Sequence, residues 1–173
     1  MKLKAKYFAF YLLSFFIVAI SSCSIQYKFD GASIDYSTTK TMTIETIVNQ
    51  ASHQYAPMST NFTEALKNIF ISRTKLEMVP YDGDLQISGA IVTYDLAPTA
   101  IQENAISAKT KFTIGIKIKF VNKVQPSQSF EKTFTEFTDF DSNIMFNTIE
   151  GQLVQELSER IIKQIYSATV ENW

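Results

Sequence analysis

Apolar and polar positions alternate most strictly between residues 109 and 123. Phe112, Ile114, Ile116, Ile118 and Phe120 fall on one parity. Lys109, Lys111, Lys117, Lys119 and Lys123 fall on the other, with Thr113 and Gly115 between them. A period of two means a strand with one buried face and one wet face, and each large apolar side chain buried there contributes roughly 1.5–3 kcal/mol. Looser alternation predicts strands over residues 41–48, 76–79 and 85–96, the last closed by Pro98, and over 129–140, where Phe130 and Phe134 share a face. Phe137 is out of phase with them, so a bulge or the end of regular pairing is expected near Glu136. In two stretches the period becomes helical. Phe62, Leu66, Ile69 and Phe70 form one stripe of a helix ending near Arg73, with Ser59, Thr60 or Asn61 as its cap. With Asn61 as cap, Glu64 takes the third helical position of a capping box. Leu153, Leu157, Ile161, Ile165 and Ala168 form the stripe of a second helix over 149–170, with Arg160 and Lys163 on its wet side. Residues 49–57 read as a polar loop, and Asp82-Gly83-Asp84 and Pro126 as turns.

The order is strand, helix, several consecutive strands, helix. This predicts an α+β fold: a two-layer sandwich, its mostly antiparallel sheet carrying two helices packed on one face. The helices should cover the Phe112–Phe120 parity and leave the lysine parity open to solvent or to a partner.

The N-terminal residues follow a different pattern. Lys2, Lys4 and Lys6 precede an uncharged apolar run over residues 7–20. Its 14 residues would span about 21 Å as a helix, short of the roughly 30 Å of a bilayer core. A basic start and a short apolar run ending in small residues predict a signal peptide. The run closes on Ile20-Ser21-Ser22-Cys23, which resembles a lipobox. That resemblance implies a diacylglycerol on the Cys23 sulfur and cleavage just before it. Residues 1–22 are thus expected to be removed. Residues 23–173 remain as a single domain, with 23–30 as a lipid-anchored lead-in that includes a short strand over 25–29 and a turn at Asp30-Gly31. Cys23 is the only cysteine, which excludes an internal disulfide. One acyl chain anchors only marginally; lipoproteins of this type carry two or three, palmitate among them. By resemblance to the sorting rule of Gram-negative lipoproteins, Ser24 in place of Asp directs the chain to the outer membrane, facing the periplasm.

Composition and charge add exclusions. Loss of Lys2, Lys4 and Lys6 takes the formal charge from −1 to −4, so no basic excess points to nucleic acid. Fourteen Phe and eight Tyr against five Gly and four Pro suit a packed β-rich core rather than a disordered chain. His53, the only histidine, sits in a polar loop beside Ser52, and adjacent side chains need not meet, so catalysis has little support. Asp82, Asp84 and Asp95 lack the spacing of a calcium loop, and turn chemistry explains Asp-Gly-Asp. Asp139, Asp141 and Ser142 read better as a helix cap, near Asp141 or Ser142, than as a metal group. The reading is therefore of a non-enzyme with no metal site and no cofactor. The one binding feature is the lysine row, Lys109, Lys111, Lys117, Lys119 and Lys123, whose ammonium groups suit phosphates and other acidic groups. Lysine on a wet strand also blocks unwanted edge pairing, so a plain solvated face is the alternative.

An ordered set of motifs carries a family resemblance across the mature chain. After the lipobox come Phe29-Asp30-Gly31-Ala32-Ser33-Ile34 and Phe62-Thr63-Glu64-Ala65-Leu66. Asp82-Gly83-Asp84-Leu85-Gln86-Ile87-Ser88-Gly89 follows, then Tyr94 and Pro98-Thr99-Ala100-Ile101-Gln102. The strand from Lys111 to Asn122, Phe137-Thr138-Asp139-Phe140-Asp141-Ser142 and a helix closing on Asn172-Trp173 complete it. This resembles the LptE family of Bacteroidetes-type bacteria, the lipopolysaccharide-assembly lipoproteins. The resemblance implies a plug and assembly partner inside and below the LptD β-barrel of the outer membrane, with lipopolysaccharide as the cargo. It also implies a sheet with two helices on one face, in agreement with the periodicity. The alternative function is a free periplasm-facing lipid- or glycan-binding lipoprotein.

Overall fold

The structure is a computed structural model, described here over residues 34–53, 55–99 and 108–171. The signal segment, Cys23, the lead-in strand and the Asp30-Gly31 turn lie outside the described residues. In chain order the elements are β1 (Thr41–Ile44), β2 (Val48–Asn49), α1 (Met58–Arg73), β3 (Glu77–Met78), β4 (Leu85–Pro98), β5 (Lys109–Asn122), β6 (Phe130–Asp141) and α2 (Phe146–Tyr166). A short 3-10 turn at Pro126–Gln128 joins β5 to β6, and a π turn, Ser167–Glu171, continues α2.

The sheet runs β3-β1-β4-β5-β6, with β2 also on β4. The long ladders β4–β5 and β5–β6 are antiparallel, and the short pairs β1–β3, β1–β4 and β2–β4 are parallel. The alternating parity of β5 is the reason for the layering. Phe112, Ile114, Ile116, Ile118 and Phe120 are all buried at 1% exposure or less. They share one core with Phe62, Leu66 and Phe70 of α1 and with Leu153, Leu157, Ile161 and Ile165 of α2. Both helices therefore cover the even face of β5, and the two-layer α+β reading holds. Gly89 in mid-strand answers to close approach: a Cβ there would lie 2.3 Å from the carbonyl oxygen of Lys117 on β5.

Four local expectations are corrected. The strand read over 41–48 is broken into β1 and β2, because Ile47 drops into the core and α1 takes over its backbone pairing. Ile47 N–H donates to Thr63 Oγ1 at 3.0 Å, and Ser59 Oγ donates to Ile47 O at 2.6 Å. Ser59 is thereby occupied, and α1 begins after Pro57 with no side-chain cap from Ser59, Thr60 or Asn61. The irregularity expected near Glu136 is absent: β6 pairs with β5 without a register shift. The bulge lies instead in β4, between Ile91 and Thr93. Nor do Asp141 and Ser142 cap α2, whose N-cap is Met145 with no side-chain bond. Asp141 Oδ1 accepts the Asn143 N–H at 3.0 Å in a local turn. Phe146 seats the start of α2 instead, its ring 4.9 Å from Phe112 and 5.8 Å from Phe140.

Candidate functional site

The open face of the sheet is built from the odd positions of β5 and their cross-strand partners. Lys109, Lys117 and Lys119 are exposed and Lys111 is half-buried. The neighbouring strand answers them with carboxylates. Lys109 lies opposite Asp141, Lys111 opposite Asp139 and Lys119 opposite Glu131, while Lys117 reaches diagonally to an ion pair with Glu131. On the β4 side Asp95 lies opposite Thr113. The hydrogen bond and charge of Lys117, with Lys119 behind it, hold the Glu131 carboxyl below the usual carboxylate range. Lys111 stacks its ammonium over the ring of Phe137, 4.6 Å from the centroid, which explains why an out-of-phase Phe is tolerated on this face at 52% exposure.

The lysine row is therefore shorter than its sequence spacing implies. Lys123 lies beyond the end of β5 and is drawn away to Asp82 in the turn before β4. Asp82 adopts φ 59°, the left-handed conformation that this tight turn demands. Asp84 is also fully engaged: its carboxylate accepts the backbone N–H of Lys40 at 2.8 Å and of Thr41 at 3.0 Å. Both bonds lower its pKa. Among the described residues Lys109, Lys111 and Lys119 make no ion pair within 4.0 Å. The facing carboxylates could have been found by reading residues 130–141 on the parity opposite to Phe130 and Phe134, where Glu131, Asp139 and Asp141 all fall.

His53 borders a cavity of about 300 Å³ with Tyr94, Asp95, Leu96, Phe146 and Glu150. Burial pushes the Tyr94 phenol up, and its 2.5 Å donation to Glu150 adds to the shift. The hydroxyl is a hydrogen-bond donor to Glu150, while the Tyr94 ring packs edge-on against Phe112 with centroids 4.9 Å apart. Asp82, Asp84 and Asp95 do not converge: Asp82 is held by Lys123, Asp84 by the chain leading into β1, and Asp95 lies in the second half of β4. Cys23 lies outside the described residues, and no helix among those residues is long and apolar enough to cross a membrane.

Among solved structures, a protein from Xanthomonas campestris is similar over 73% of this chain and 82% of its own, at 9% identity and a TM-score of 0.50. The PelC dodecamer from Paraburkholderia phytofirmans matches over 81% and 94%, at 9% identity and a TM-score of 0.47. A minor lipoprotein from Acinetobacter baumannii matches over 78% and 98%, at 11% identity and a TM-score of 0.44. At these identities likeness speaks to fold alone, and of the three only the Xanthomonas campestris protein is close enough in shape to support even that. No curated protein matches the chain. The model of one family, LptE, described as lipopolysaccharide-assembly, matches residues 39–169. That span takes in every strand and both helices of the sandwich, and the chain belongs to the LptE family of lipopolysaccharide-assembly proteins.

Proposed function

We propose that this chain is an outer-membrane lipoprotein, anchored through Cys23 and facing the periplasm, that acts as plug and assembly partner of an LptD-type β-barrel. Its work is the transport and assembly of lipopolysaccharide at the outer membrane, without catalysis. The family match across residues 39–169 carries this reading. The lipobox-like Ile20-Ser21-Ser22-Cys23 supports the anchor, and a helix-covered core with one open sheet face suits a protein that works by contact. Within that role Lys109, Lys111 and Lys119 receive the acidic groups of lipopolysaccharide. Alternate residues on a strand face are about 6.6 Å apart, so Lys109 and Lys111 can share one phosphate-bearing headgroup.

The partner is tested by crosslinking in intact cells, capture of the chain and mass spectrometry. Recovery of one large outer-membrane β-barrel protein, in near-equal amount, is the expected result. Capture of the chain with no barrel protein enriched would overturn the partnership and favour a free lipid- or glycan-binding lipoprotein.

A further inference from the structure

β6 is an edge strand: β5 pairs with it along its whole length, and no strand lies on its other side among the described residues. The direction of its free backbone groups follows from the ladder. Ser142 N–H donates to Ala108 O at 3.0 Å, so the even positions of this strand point their backbone toward β5. With no register shift, the odd positions Glu131, Thr133, Thr135, Phe137, Asp139 and Asp141 point N–H and C=O outward. Long edges are normally blunted by proline, a bulge or charged side chains, lysine above all, and the outward charges of β6 lie only at its two ends. β6 has no proline and no bulge, and its one lysine, Lys132, sits on the even parity near the start. The middle of the outward row, Thr133, Thr135 and Phe137, is exposed, uncharged and made of residue types that favour strands.

We propose that the outer edge of β6 docks an extended segment of another polypeptide, one with an uncharged middle and basic side chains toward its ends. The charges on the edge select that occupant. The outward row carries Glu131 at one end and Asp139 and Asp141 at the other, with the β5 lysines one strand further in and Lys132 on the opposite parity, so carboxylates are the outermost charges of the open face. A second copy is a poor partner. The two antiparallel self-pairings that keep the faces matched and overlap most fully set Glu131 against Asp139, or Glu131 against Asp141 and Glu136 against Glu136. Like charges directly opposite one another destabilise a pair. A closed barrel wall offers no free strand edge, so the docking segment is a loop or terminus of its protein. The inference goes beyond lipopolysaccharide assembly, since it concerns a backbone edge rather than the lysine row.

The test uses the full-length chain in detergent micelles and a synthetic peptide, Lys-Thr-Val-Thr-Val-Thr-Val-Thr-Lys, whose two lysines are spaced to face Glu131 and Asp139. Controls are the same peptide with Glu for Lys and with N-methylated backbone amides. Residue-resolved amide exchange should show Thr133, Thr135 and Phe137 slowed by about tenfold or more on peptide addition. Lys132, Phe134 and Glu136, already bonded to β5, should keep their rates, and neither control peptide should have an effect. No slowing, equal slowing on both parities, or equal action of the acidic peptide would overturn the proposal. T135P removes one outward donor without touching the β5 ladder, so its thermal midpoint should be unchanged and its protection lost. Protection retained in that variant would also overturn the proposal. The N-methylated control reads the same question on the unaltered protein, whatever T135P does to folding.

Discussion

At the residue scale, the five lysines of one parity divide into three groups by what faces them. Lys117 is committed to Glu131 and Lys123 to Asp82. Lys109 and Lys119 keep ammonium groups available on the open face, and Lys111, also without an ion pair, rests over Phe137. Ion pairs at exposed positions contribute on the order of 0–1 kcal/mol, so reversing charge there should perturb binding more than folding. We expect K109E/K111E/K119E to weaken binding of purified lipopolysaccharide by roughly tenfold at low ionic strength. The difference should shrink as salt is raised through about 0.15 M. K123E, which sets a carboxylate against Asp82 in the turn beyond β5, should bind as the parent does. Titration of the full-length chain in detergent against lipopolysaccharide measures both. Equal affinity for the triple variant and the parent would reduce the row to a solvated face.

At the element scale, the two faces of β5 make the sharpest stability contrast in the molecule. Ile116 is fully buried, and Lys117, one residue on, is exposed. Ile116→Asp puts a carboxylate among buried Ile and Phe side chains. The cost is several kcal/mol, comparable with the whole stability of a domain at about 5–15 kcal/mol. Lys117→Asp loses one surface ion pair and should cost about 1 kcal/mol or less. Thermal unfolding should show the first variant unfolded or nearly so and the second close to the parent; matched midpoints would refute the assigned faces. This strand was legible because strict alternation over many residues has one physical reading. β1 and β3 were legible too, inside the strands read over 41–48 and 76–79; the break before β2 and the parallel pairing were not, since two to four residues carry little periodicity and parallel pairing leaves no local mark. The misplaced bulge has a similar cause. An out-of-phase Phe137 reads as a break, yet the wet face of an edge strand can keep it under Lys111. The true shift in β4 is hidden because Ile91 and Val92 are both apolar, so no single residue marks the change of parity. The helix starts were obscured because Ser59, the right residue type for a cap, hydrogen bonds to Ile47 instead.

At the scale of the whole molecule, β4, β5 and β6 form a broad platform whose inner face is filled by two helices and whose outer face and edge are free of other described elements. The layering and the lysine row could be read from the chain. The opposing carboxylates and the outward backbone of β6 emerged only when the strands were set side by side, because cross-strand neighbours are distant in sequence. A platform with one finished face suits a protein that works by contact with a larger body, in keeping with membership of a lipopolysaccharide-assembly family. The most direct test of that role is to deplete the chain in its own cells and follow newly made lipopolysaccharide by pulse labelling, scoring its appearance at the cell surface. The account predicts that surface arrival falls with the level of the chain while synthesis continues, that the parent gene restores it, and that the Cys23→Ala form does not. Unchanged surface arrival after full depletion would contradict it.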